Sequence, residues 1–143
     1  MYRLLFVVVL LTSSLFASQI VWEKDFQSGI KNAKQVNKPV LFVFSSHSCR
    51  YCVKLEKTTF SDERVIKALN EDFVSIISYS DENDYTPREL HRPATPTIWF
   101  LKTNGSPMFQ PLMGAVGAEG FLQALSVVKQ EFKKVNNKKR VKK

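Results

Sequence analysis

The stretch VLFVFSSHSCRYCVKLEKT, residues 40–58, decides how this chain folds. Its first five residues, Val40 to Phe44, are apolar without a break, as in a strand buried on both faces. Ser45-Ser46-His47-Ser48 is a polar turn. Cys49 then opens a helical stretch that carries Val53 and Leu55 as apolar positions and runs to Thr58. The two cysteines, Cys49 and Cys52, are the only ones in the chain. A disulfide between them would close too small a loop to restrain an unfolded chain much. The pair is placed for chemistry instead. At a helix start the first amide N–H groups lack partners and the helix dipole presents partial positive charge, so a thiolate is favoured there. Cys49, at the start, is the expected nucleophile. Cys52, one turn further in, is the expected resolving thiol.

Working outward, Phe26, Ile30, Ala33 and Val36 lie on one face of a helix within residues 22–37, capped by Asp25 and stopped by Pro39. Ser61 caps a helix with Asp62 and Glu63 in its first turn and Val65, Ile66 and Leu69 along it, and residues 73–78 (FVSIIS) form a second strand. Thr86-Pro87 starts a short helix that Pro93 ends. Residues 97–102 (TIWFLK) form a third strand, Asn104-Gly105 a hairpin turn, and residues 108–113 the returning strand. Pro107 and Pro111 put that last strand at an edge, since proline donates no ladder hydrogen bond. Phe121, Leu122, Leu125, Val128 and Phe132 mark a final amphipathic helix. A helix between two buried strands implies a parallel crossover, and the hairpin adds an antiparallel edge. The expected architecture is one small α/β domain, a mixed central sheet with helices on both faces.

A chain of 143 residues supports one such domain. Its net charge of +8 is unevenly placed: seven of the last eleven residues are basic. With those and Arg3 set aside, 13 basic residues face 13 acidic ones. The neutral body gives no footprint for nucleic acid, and residues 133–143 read as a solvated, disordered tail whose other reading is contact with an anionic surface. Residues 1–18 read as an export signal: Arg3, an apolar run over residues 4–11 that is short for a membrane span, and Ala17 or Ser18 near the cleavage point. The domain expected between these ends is residues 19–132.

Thr95-Pro96-Thr97 precedes the third strand. X–Pro bonds are cis in only about 5–6% of cases, so the sequence by itself favours trans there. His47 precedes Cys49 by two residues and reads either as a group able to lower the thiol pKa or as an exposed turn residue. Arg50 and Tyr51, between the cysteines, read as contacts for the thiolate and a substrate, or as plain surface.

A C-x-x-C between a buried strand and a helix, then Thr95-Pro96-Thr97, a hairpin, Gly114 and a final helix, resembles the thioredoxin superfamily over residues 19–132. Trp22, Phe26, Ala33, Lys38-Pro39-Val40, Phe60 and Val65 make it similar to the exported subgroup that includes the C-terminal domain of periplasmic thiol:disulfide interchange proteins. The resemblance implies a thioredoxin-like fold, Cys49 as attacking and Cys52 as resolving thiol, Pro96 as a cis-proline facing them, and Gly114 beside the site. With Thr95, Arg50 and Tyr51 as substrate contacts, it implies a periplasmic thiol–disulfide oxidoreductase, a reductase or redox relay. Such an enzyme needs no cofactor and is expected to be a monomer acting on protein thiols or disulfides, with a membrane or periplasmic redox partner. Two departures stand out. Ser48 and Arg50-Tyr51 replace the tryptophan and Gly-Pro of thioredoxin proper, and Val43 stands where thioredoxin has a buried acid. The other readings of the pair are a non-enzymatic binder or chaperone on the same fold, and a copper carrier using Cys49, Cys52 and His91.

Overall fold

The computed structural model describes residues 19–141, so the expected export signal lies outside the described residues. Four strands, β1 (Val40–Ser45), β2 (Val74–Tyr79), β3 (Thr97–Leu101) and β4 (Leu112–Met113), form one sheet in the order β2-β1-β3-β4. The first two pair in parallel, Val40 beside Val74 and Ser45 beside Tyr79. β3 runs antiparallel to β1, with Phe44 beside Thr97 and Val40 beside Leu101. This register sets the C-terminal end of β1 next to the first residue of β3, and the two segments of interest emerge there side by side.

Alternation along β1 divides the core. Leu41 and Val43 face a cluster built from α2 (Arg50–Lys57), α3 (Glu63–Asp72) and α4 (Ala118–Val141), contributing Leu55, Leu69, Phe121 and Leu125. Val40, Phe42 and Phe44 face the opposite cluster, where Ile30 and Ala33 of α1 (Phe26–Val36) pack with Ile76, Trp99 and Leu90. Helices thus lie on both faces of a mixed sheet. α1 approaches β2 so closely at Gly29 that a Cβ there would overlap the Ile76 side chain. The Asp25 carboxylate accepts from the Ser28 N–H at 2.7 Å, and that bond begins α1. Asn37 ends α1 in the left-handed conformation at φ 51°, two residues before Pro39.

Three expectations change. Trp22 lies outside the helix, which spans Phe26–Val36 and not residues 22–37: it bridges Ser75 alongside β2 and covers part of that exposed edge. The returning strand of the hairpin shrinks from residues 108–113 to Leu112–Met113, with an isolated bridge at Pro107, because Pro107 and Pro111 have no N–H to give. The segment starting at residue 133 is not a coil. α4 continues to Val141, since no glycine or proline follows Gly120 in it and its basic residues lie at the negative end of the helix dipole. Among the described residues no helix is long and apolar enough to cross a membrane.

Candidate active site

β1 delivers the chain to Ser45, which is buried, and a turn closed by the Cys49 N–H to the Ser46 carbonyl (3.2 Å) places Cys49 at the head of α2. Cys49 is the N-cap residue. Its sulfur accepts from the Cys52 N–H at 3.2 Å, the bond that a serine or aspartate oxygen usually makes at this position. Its thiol donates to the Thr95 carbonyl at 3.3 Å. Cys49 is half-buried, Cys52 is fully buried, and both are free thiols.

The two sulfurs are pushed in opposite directions. Partial burial pushes the Cys49 pKa up, but hydrogen bonds from the Cys52 thiol, from the Thr95 side chain and from the N–H groups of Cys52 and Tyr51 outweigh it and hold Cys49 below the ordinary thiol value. Burial pushes the Cys52 thiol up, and its hydrogen bond with Cys49 adds to that. The hydroxyls of Ser45 and Thr95 and the backbone at Ser46 pull Cys52 the other way without prevailing. One thiol is therefore accessible and predisposed to ionise, and its neighbour is enclosed and stays protonated. That asymmetry suits attack by the first sulfur and later displacement by the second.

The Thr95–Pro96 peptide bond is cis, against the base-rate expectation and as the resemblance implies. The Gly114 N–H donates to the Pro96 carbonyl at 3.0 Å, and Gly114 has a φ of 84°, which favours glycine. Thr95, Pro96 and Gly114 thus stand together beside Cys49. Arg50 and Tyr51 are exposed on the first turn of α2, Tyr51 by 58%.

His47 does not turn toward the thiol. Its ring stacks on Tyr79 at 3.9 Å between centroids, its backbone N–H donates to the Asp81 carboxylate at 2.9 Å, and its Nδ1 lies 3.3 Å from the same carboxylate. Ser80 donates to the Ser45 carbonyl at 3.2 Å, and the Tyr79 hydroxyl bonds Glu56 of α2 at 3.1 Å. The end of β2 therefore clamps the turn that presents Cys49. This clamp is not visible in the sequence, because it joins residues 23 to 35 positions apart. Ser45 was within reach of sequence reasoning. It lies two residues beyond Val43 on the same face of β1, so a polar group near Cys52 follows from strand alternation. Val43 itself is 1% exposed in the apolar cluster, and no carboxylate takes its place.

His91 packs on the Phe44 ring at 4.8 Å. Among the described residues no three His, Cys, Asp or Glu side chains are grouped to hold a metal ion, so His91 does not join the two cysteines as a third ligand.

Comparison with known proteins agrees with this geometry. A family model described as a thioredoxin-like domain matches residues 26–129. The solution structure of a thioredoxin from Thermus thermophilus superposes with a TM-score of 0.65 and 25% identity, covering 77% of this chain and 87% of that one. Thiol:disulfide interchange protein DsbD from Yersinia enterocolitica is 32% identical over 105 residues, 71% of this chain and 18% of that protein. Anterior gradient protein 2 from Xenopus laevis is 27% identical over 83 residues, and the match covers 52% of this chain. The chain spans about half the length of the anterior gradient proteins it matches, 45% in that case. With the family model matching residues 26–129, around the buried strand and the capped C-x-x-C, the chain belongs to the thioredoxin-like domain family.

Proposed function

We propose that this protein is an exported thiol–disulfide oxidoreductase of the periplasm, acting as a reductase or redox relay. The observation that carries the reading is the opposed state of the two thiols, Cys49 lowered and accessible, Cys52 raised and enclosed. The Cys49 thiolate attacks one sulfur of a protein disulfide, that S–S bond breaks, and the departing sulfur takes up a proton. A mixed disulfide to Cys49 results. Cys52 then loses its proton and attacks the Cys49 sulfur, releasing the second substrate thiol and leaving a Cys49–Cys52 disulfide. Two electrons and two protons pass to the substrate, and a partner dithiol returns them. Thr95 and Pro96 receive the substrate backbone beside Cys49, and Arg50 and Tyr51 meet its side chains. Residues 1–18 serve as the export signal, residues 19–132 form the catalytic domain, and the protein acts as a monomer. Likeness to part of a thiol:disulfide interchange protein supports the class of reaction and the compartment.

A Cys52→Ala variant tests this reading. Cys49 then holds its partners as mixed disulfides that dithiothreitol releases. Those adducts are absent from a Cys49→Ser/Cys52→Ala double variant. Cells expressing Cys52→Ala that accumulate no Cys49 adduct in the periplasm would contradict the proposal.

A further inference from the structure

α4 starts beside the site, just after Gly114, and ends at the opposite pole, where Asn136 meets Asn37 at the end of α1 (3.4 Å). That pole is the N-terminal end of β1, whereas Cys49 follows its C-terminal end. Among the described residues Phe132 is the last buried side chain of α4, and the helix runs on for about 14 Å to Val141, with Val135 and Asn136 half-buried. Lys133, Lys134 and Lys138 are exposed along it. Beneath lies an open cleft lined by Phe132, Pro39, Lys38, Lys133 and the paired Lys129 and Asp72. Two local acids are already engaged: Asp72 with Lys129 at 2.6 Å and Glu131 with Lys134 at 3.8 Å. Glu71 is exposed at the end of α3.

We propose that this basic pole docks on an anionic phospholipid surface and holds the domain with Cys49 facing away from the membrane. The charge is borne mainly by lysine, six of the seven basic residues after Phe132. Lysine ammoniums are point charges without the planar fork that reads individual carboxylates or phosphates, so they suit a diffuse sheet of charge. No aromatic residue follows Phe132, so the segment has nothing on which nucleic-acid bases could stack. The cleft brings Phe132 and Pro39 together with Lys38 and Lys133, a lining that suits a headgroup phosphate and its glycerol. This inference concerns the pole remote from the cysteines and stands independently of the redox reading.

Flotation with vesicles of phosphatidylglycerol and phosphatidylcholine in a one-to-two ratio tests it. Binding is expected at low salt, lost in half-molar salt, and absent with phosphatidylcholine alone. A Lys133→Gln/Lys134→Gln/Lys138→Gln variant loses about 100-fold in partitioning, since each lysine near such a surface contributes about five-fold. The corresponding triple arginine variant binds like the original, and circular dichroism confirms that both fold. The Cys49 alkylation rate is unchanged on the vesicles. Equal binding to neutral vesicles, full binding by the glutamine variant, or displacement by soluble glycerol phosphate would overturn lipid docking. Preference for single-stranded DNA over the vesicles would do the same. Protection of Cys49 by the vesicles would overturn the orientation.

Discussion

Cys49→Ser is expected to abolish disulfide exchange, lowering turnover of a disulfide-bonded protein substrate by at least roughly 10³-fold. The structure gives the reason. Cys49 is the accessible sulfur, and the Cys52 N–H, the Tyr51 N–H and Thr95 all stabilise its ionised form. A serine hydroxyl in that cap would keep the helix start intact and remain protonated, so the variant folds but has no nucleophile. Cys52→Ala behaves differently. Its Cys49 still attacks, so one equivalent of substrate reacts and then turnover stops at the mixed disulfide. A steady-state assay alongside a single-turnover assay separates the two. If Cys49→Ser kept a substantial fraction of turnover, Cys49 would not be the attacking group.

Phe121→Ala is expected to have the largest effect on stability, about 3–5 kcal/mol lost from the free energy of unfolding. The ring is 0% exposed in the cluster that α4 shares with the sheet. It meets Phe60 edge-on at 5.6 Å between centroids and Phe100 at 6.2 Å. Its removal leaves a void bounded by three elements that cannot collapse together. A domain of this size has only about 5–15 kcal/mol in total, so the variant would sit near the unfolding threshold at physiological temperature. Urea melts of both proteins measure the difference. A loss of less than about 1 kcal/mol would mean that α4 does not depend on this contact.

Much of this arrangement was legible in the order of residues. The unbroken run Val40 to Phe44 specified a central strand because both of its faces are covered. Cys49 at the head of α2 followed from where that run ends. Local signals such as Asp25 and Ser61 fixed helix starts to within a residue, the observed caps being Asp25 and Asp62, since capping is a contact between near neighbours. What was not legible depends on distant partners. Trp22 bridges β2 because that edge would otherwise be open. His47 is drawn to Tyr79 and Asp81 rather than to the thiol, and those residues come together only when β1 and β2 pair in parallel. The basic segment after Phe132 was misread for a different reason. A run of like charge signals a solvated chain, but here it continues a helix already anchored by Phe121, Leu125 and Val128, so propagation adds hydrogen bonds without a new nucleation cost.

The asymmetry of the two thiols is measured most directly by the alkylation rate of each cysteine in the reduced protein across a range of pH, resolved by mass spectrometry. A lowered pKa means more thiolate at a given pH, so the Cys49 profile should rise with a midpoint below the free-cysteine value of about 8.5. Cys52, raised and enclosed, should react slowly and only at a pH above that value. Two profiles sharing one midpoint at or above the free-cysteine value would contradict the account.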